Sequence, residues 1–237
     1  MIAEVYQMFV EVVTKKDKIR LMNVFRGVPV TYDAYITEMR GEEVRLRTHP
    51  FQLICIRYQK KTYIHYSNKT YRAEALSTDL KNENTLLTNF EPAHEIGLRK
   101  HVRVEPRQPT QVYIYSDQFD KNRNQWISTM MADVSIKGIA IYMNPFLFTL
   151  TAMSINDTIK LKFTLADNES GLNFSIQSDG VVRNIFRNNE KRVMRIGIEM
   201  FPDKVTESQL TRYIAQRQKD ILKELKDIRD KDIFLEL

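Results

Sequence analysis

Short runs of alternating or wholly apolar residues recur along almost the whole chain, and this pattern most constrains the fold. Runs of this length, broken by turn signals, are typical of antiparallel strands, because successive strand side chains point to opposite faces. Arg40 with Gly41 and Ser67 with Asn68 are two such breaks in the first part. The predicted strands before residue 90 are residues 19–24, 28–39, 44–47, 52–58, 62–66 and 71–76. Their spacing favours an antiparallel barrel or split barrel.

A second series of strand-like runs follows after residue 100. The predicted strands are residues 102–105, 111–115, 125–132, 139–143, 158–166, 172–177, 181–186 and 193–201. Such spacing suits an antiparallel barrel of six or seven strands. Phe146, Phe148 and Leu150 fit either a strand or a core segment, and the pattern does not decide between them.

Helical periodicity occurs at the two ends of the chain. Near the start, a stripe at helical spacing predicts a short amphipathic helix; it consists of Ile2, Val5, Tyr6, Phe9, Val12 and Val13. The stripe would pack on the following barrel, or else bind a partner or a second copy. Near the end, Thr206 to Gln209 form a capping-box pattern that predicts a long helix to about Asp230.

The predicted fold class is mainly β, with two antiparallel barrels in tandem, a short N-terminal helix and a long C-terminal helix. Residues 89–97 contain Pro92 and Gly97 and are predicted to connect the barrels. We therefore expect one domain at residues 1–95 and another at residues 96–237.

Composition and charge exclude several classes of protein. The single cysteine, Cys55, lies in an apolar run and rules out a disulfide scaffold. Residues 1–13 are too short to span a bilayer and carry Glu4 and Glu11, so neither membrane insertion nor a signal peptide is expected, and the predicted location is the cytoplasm. The net charge of +6 is modest and forms no polybasic tail, which argues against nucleic acid as a partner.

Motifs for catalysis and for metal binding are absent from the sequence. No two glycines are closer than Gly171 and Gly180, so neither a phosphate-binding loop nor a dinucleotide fingerprint is possible. The four histidines lack metal-ligand spacing. We expect no catalytic residue, no metal and no resident cofactor, and the chain is not predicted to be an enzyme.

Arg99 and Arg103 stand four residues apart at the start of the second series of strands. Two guanidinium groups there could hold one anionic, base-bearing ligand, since each fork suits phosphate oxygens or a guanine edge and can stack on a base. The spacing alone is weak evidence: Arg103 with Arg107 shares it, and a solvated basic face would explain it equally well.

A second motif consists of Asp133, Ser135 and Gly138, between two predicted strands. An acid, a hydroxyl and a glycine at a strand connection offer an acceptor, a small polar group and room for a close backbone approach. Taken alone, the motif is more often just a turn.

In this order, with strands between them, the two motifs RxxxR and D/NxSxxG resemble the PilZ family of bacterial cyclic di-GMP receptors. The resemblance runs from Leu98 to the C-terminal helix, and residues 195–201 are similar to the last strand of that family. The resemblance implies that Arg99 and Arg103 bind the phosphates and guanine edges of cyclic di-GMP. It also implies that Asp133, Ser135 and Gly138 complete the ligand pocket.

The resemblance also bears on stoichiometry and on partners. A further arginine just before the RxxxR pair would help to hold a second, stacked ligand, but Leu98 stands there, so one ligand per chain is expected. Leu98, Lys100 and Arg195 are possible additional positions at the ligand site. A β-rich domain ahead of a PilZ domain is the arrangement of flagellar-brake proteins, which implies control of motility through a partner such as a flagellar motor component. The alternatives are a PilZ adaptor that binds proteins without ligand and, less favoured, a nucleic-acid-binding barrel.

Overall fold

The computed structural model describes residues 2–93, 101–117, 119, 125–167, 171–189 and 191–235. Within them the chain forms two closed, six-stranded antiparallel barrels and four helices. The predicted fold class is confirmed, including the short N-terminal and the long C-terminal helix.

The first barrel has the strand order β1-β2-β3-β6-β5-β4. Its elements are α1 (Ile2–Lys15), β1 (Ile19–Phe25), β2 (Val28–Arg40), β3 (Glu43–Thr48), α2 (Pro50–Gln59), β4 (Lys61–Tyr66), β5 (Lys69–Asp79) and β6 (Asn84–Pro92). Strand β6 was not predicted, and residues 89–92 of the predicted connector belong to it.

Helix α1 packs on the core of the first barrel. Val5, Phe9 and Val12 are buried in one cluster with core residues of the strands. The Phe9 and Phe90 rings contact each other edge to face, with their centroids 5.0 Å apart. Packing on the barrel, the first of the two predictions for this stripe, is confirmed.

Residues 52–58, predicted as a strand, form helix α2 instead. His49 is its N-cap, with Nδ1 accepting from the Phe51 amide at 3.2 Å, and Pro50 occupies the first turn. The strand prediction was wrong because residues 53–56 are all apolar and buried. A continuous apolar run shows neither helical nor strand periodicity, so a buried helix cannot be distinguished from a buried strand by pattern alone.

The second barrel has the strand order β10-β11-β12-β9-β8-β7. Its elements are β7 (Gln111–Tyr115), β8 (Ile127–Ser135), β9 (Gly138–Met143), α3 (Pro145–Thr151), β10 (Thr158–Asp167), β11 (Leu172–Asn188) and β12 (Val193–Met200), followed by α4 (Lys204–Leu235). The barrel therefore has six strands, within the predicted range.

The second barrel differs from the predicted strands in three details. Residues 172–177 and 181–186 belong to one long strand, β11, whose register shifts between Val182 and Asn184. Phe146, Phe148 and Leu150 lie on helix α3, capped by Asn144. Residues 102–105 form no strand: Val104 alone makes a bridge, to Val134, and the nearby Pro106 and Pro109 lack amide donors for a ladder.

Helix α4 begins at Lys204, because the Asp203 carboxylate accepts from the Thr206 amide at 2.8 Å. The capping box predicted at Thr206 thus starts the helix slightly too late. By contacts the chain divides into a unit of Met1–Arg99 with Ile221–Leu237 and a unit of Lys100–Asp220, so α4 contributes to both.

Candidate functional site

A backbone bridge places Arg103 beside Asp133. The amide of Val104 donates to the Val134 carbonyl at 2.9 Å, and the amide of Val134 donates back at 3.0 Å. In this antiparallel bridge Arg103 and Asp133 are diagonal to each other, and their side chains approach, with Arg103 Nη1 3.8 Å from Asp133 Oδ1. The structure brings these two predicted site residues together.

The segment that carries Arg103 is held on a second side within the same unit. Arg217, a buried residue of α4, donates through Nε to the Glu105 carbonyl at 2.9 Å. Arg107, the next arginine, lies 3.9 Å from the Asp220 carboxylate. These contacts fix the backbone on which Arg103 is presented.

Ser135 and Gly138 form the β8–β9 turn. Ser135 Oγ donates to the Gly138 carbonyl at 3.1 Å and is buried. A Cβ at position 138 would lie 3.0 Å from the Ile198 carbonyl oxygen of β12, so glycine permits the strands to approach each other closely. The hydroxyl and the glycine thus hold the turn next to Asp133.

Arg195 is the third charged member of the site. It lies on β12 and hydrogen-bonds Asp133 Oδ2 through Nη2. In the register Asp133 is opposite Ala140, and Arg195 is opposite Tyr142, the next residue of β9 on the same face. The small side chain of Ala140 leaves room for the contact. The Arg195 guanidinium also lies over the Phe186 ring, 5.4 Å from its centroid.

The charges at this site favour an anion. Two guanidinium groups face one carboxylate, and all three are sheltered: the side chains of Arg103, Arg195 and Asp133 are 29%, 18% and 11% exposed. Reduced solvent screening strengthens their attraction for a phosphate. In the described part of the chain, Asp133 Oδ1 is buried and accepts no hydrogen bond, so it can accept from a ligand donor.

The other predicted contacts divide into two groups. Leu98, Arg99 and Lys100 lie outside the described residues. Arg195, predicted only as a possible additional contact, takes the central place beside Asp133. Phe186 was not predicted as a site residue. The alternation within a strand does not show which residue of the neighbouring strand lies opposite, so the contact with Arg195 could not be inferred from the sequence.

The sequence matches the family described as PilZ domain over residues 98–216. The chain belongs to the PilZ domain family. The match includes both motifs and every residue of the Arg103, Asp133 and Arg195 cluster. No curated protein matches the sequence closely enough to count as a relative.

Several solved structures are similar to this PilZ chain. YcgR of Escherichia coli in complex with c-di-GMP is 10% identical, covers 96% of this chain and 95% of its own, and has a TM-score of 0.46. Inhibitor of motility MotI/DgrA of Bacillus subtilis is 14% identical, with 86% and 96% covered and a TM-score of 0.45.

MrkH of K. pneumonia in complex with c-di-GMP is 16% identical, with 98% and 97% covered and a TM-score of 0.41. MrkH is also described as a c-di-GMP-dependent transcription regulatory factor. For the present chain, the expected absence of a nucleic-acid partner stays a prediction.

Neither a membrane span nor a metal centre is found where the structure can be described. None of the helices in that part is both long and apolar enough to cross a bilayer. In the same part, His, Cys, Asp and Glu side chains form no group that could hold a metal ion.

Proposed function

We propose that this PilZ protein is a receptor for cyclic di-GMP, not an enzyme. The observation that carries the proposal is the cluster of Arg103, Asp133 and Arg195. It is a sheltered site with two cations, and Asp133 Oδ1 accepts no hydrogen bond in the described part of the chain. Cyclic di-GMP offers the complementary chemistry, with two phosphates for the guanidinium groups and guanine N–H donors for the carboxylate.

Each residue of the motif has a distinct role in this proposal. Arg103 binds a phosphate or the O6/N7 edge of a guanine, which suits the planar guanidinium fork. Asp133 accepts from guanine through Oδ1, while Arg195 holds its other oxygen. Ser135 and Gly138 keep the β8–β9 turn in place, and Arg99 supplies the second guanidinium of the motif.

The output proposed for binding is a change in the arrangement of the two barrels. The RxxxR motif directly follows the segment that connects them in sequence, so a ligand that engages Arg99 and Arg103 acts on that connection. Control of motility, through a protein partner such as a flagellar motor component, is the proposed consequence. A cytoplasmic location belongs to the same proposal, because the receptor must meet an intracellular second messenger.

Titration calorimetry of the full chain with cyclic di-GMP, beside GTP, tests the receptor proposal. Saturable binding of cyclic di-GMP and little binding of GTP is the expected result, because only the cyclic dinucleotide places two guanines and two phosphates together. An absence of heat with cyclic di-GMP would favour the adaptor alternative.

Small-angle scattering with and without saturating ligand tests the proposed output separately. The two profiles should differ. Identical profiles from a protein that binds the ligand would exclude the change of arrangement while leaving the receptor proposal intact.

A further inference from the structure

Strand register places aromatic and cationic side chains together on the outer face of the second barrel. Tyr113 of β7 pairs with Lys162 of β10, and Tyr115 pairs with Lys160. The residues that alternate with them, such as Ile114 and Leu161, are buried in the barrel. We call Tyr113, Tyr115, Trp126, Lys160 and Lys162 the aromatic face.

The side chains of the aromatic face contact one another. Lys162 Nζ lies 4.2 Å from the centroid of the Trp126 ring and 5.4 Å from that of Tyr113. The Tyr115 and Trp126 rings are 5.7 Å apart and tilted by 43°. Trp126 remains 38% exposed, which is unusual for the largest apolar side chain. The rings thus form a connected surface that solvent can reach.

An open cavity of about 520 Å³ adjoins the aromatic face, since Tyr113 and Lys162 line both. The residues that line it include the cations Arg107 and Lys162 and the amides Gln108, Gln111 and Gln177, but no carboxylate. Such a lining attracts an anion and offers both donors and acceptors to it. Three acidic groups of the described residues lie nearby. Asp117 accepts from the Tyr115 hydroxyl at 2.7 Å, Asp179 is opposite Lys160 in the register, and Asp220 lies 3.9 Å from Arg107.

We propose that the aromatic face and this cavity bind single-stranded nucleic acid. Bases stack on aromatic rings, cations between the rings hold the phosphates, and amides contact base edges, which are the contacts that single-strand binding requires. A duplex keeps its bases stacked inside, so the rings could not reach them. An acidic polysaccharide could bind the cations through its anionic groups, but its sugar rings have no flat π surface to stack on the three neighbouring aromatic rings. The lining of the cavity and the aromatic face include none of Arg103, Asp133 and Arg195.

The test follows binding of a short, fluorescein-labelled oligothymidine to the full chain by anisotropy. Trp126 is the only tryptophan, so quenching of its emission by unlabelled oligonucleotide reports stacking at this position directly. We expect both signals to saturate together. With three cations at the site, the logarithm of affinity should fall with the logarithm of salt concentration with a slope of about −2.

Variants locate the site. Trp126→Ala should weaken oligonucleotide binding by about five- to 150-fold, the range for loss of one stacked base, and Trp126→Phe should recover part of it. Lys162→Gln should also weaken binding. The matched control is Lys191→Gln, because Lys191 lies 4.6 Å from the Tyr142 ring centroid in a similar pair outside the aromatic face; it should bind as the wild type does. Circular dichroism melts establish that each variant is folded.

Several outcomes would overturn the proposal. The first is no anisotropy change at low salt. The second is equal loss of binding in Lys162→Gln and Lys191→Gln, which would indicate non-specific charge attraction. The third is a sulfated polysaccharide that quenches Trp126 while oligothymidine does not, which would assign the face to a different class of polymer.

Discussion

Arg103 Nη1 lies 3.8 Å from Asp133 Oδ1, although the two residues belong to different segments of the chain. The distance is too long for a hydrogen bond but short enough for attraction. Asp133 is instead held firmly by Arg195, which hydrogen-bonds its other oxygen. Arg103 is consequently the arginine of the cluster that a ligand can draw away from Asp133 at the smaller cost.

Arg103→Ala should abolish detectable binding of cyclic di-GMP while the protein stays folded. A good guanidinium contact contributes about 1–3 kcal/mol, and Arg103 is expected to contact both phosphate and guanine. Arg99→Ala should behave similarly. The control is Arg183→Ala, because Arg183 pairs with Glu199 at 2.6 Å, its side chain is half-exposed, and it stands four residues before Arg187, an RxxxR spacing outside the motif. Wild-type affinity in Arg103→Ala, by calorimetry, would refute the site.

Arg195→Ala should destabilise the protein, because it removes the hydrogen-bonded partner of a buried carboxylate. The expected cost is about 1–3 kcal/mol in the free energy of unfolding. A double-mutant cycle with Asp133→Asn measures the interaction itself: the two losses should be less than additive, since either change alone breaks the pair. Additive losses by urea unfolding would contradict the importance of this pair.

One cyclic di-GMP should bind per chain, because Leu98 offers neither charge nor a planar donor to a second, stacked ligand. Titration to saturation at known protein concentration measures the ratio. A ratio near two refutes this role of Leu98. Leu98→Arg should shift the ratio from one towards two, because it introduces a guanidinium just before the RxxxR pair.

The first barrel should lose stability as pH falls below neutrality, because of His49. Burial, together with the nearby charge of Arg229, lowers the pKa of His49 below its ordinary value of 6.5. The imidazole of His49 therefore binds a proton more tightly in the unfolded chain than in the folded one. The contribution of neutral His49 to the free energy of unfolding is fully present above pH 6.5 and decreases below it. Protonation also removes the acceptor that caps α2.

Urea unfolding from about pH 7.5 to about pH 5.5 measures this loss. His49→Asn is the informative variant, since asparagine can still cap the helix but does not titrate. Its unfolding should depend less on pH than that of the wild type. An unchanged dependence would assign the effect to another group.

Cys55 should react with thiol reagents only when the protein unfolds. Burial raises the pKa of the Cys55 thiol to about 12, so almost no thiolate exists at neutral or mildly alkaline pH. The rate of labelling should rise with denaturant in parallel with unfolding. Rapid labelling of the native protein would show that α2 opens locally.

The sequence by itself determined most of the strands, both terminal helices and the two ligand motifs. Alternation with period two is a local property, so β7 (Gln111–Tyr115) was predicted with its observed bounds. Helix α2 could not be predicted from alternation, since the four consecutive buried apolar residues 53–56 leave no period. His49 and Pro50 were the local signals that could have identified the helix.

Only the tertiary structure decided which side chains meet. Arg195 reaches Asp133 because β9 lies between β8 and β12, and Lys162 meets Trp126 because β7 lies between β8 and β10. The sequence argued against nucleic acid because no basic stripe runs along the chain, yet the aromatic face takes its residues from separate strands. Such clusters depend on strand order and register, and these are determined by which residues are buried over the whole barrel. A motif within one segment depends on the sequence of that segment alone.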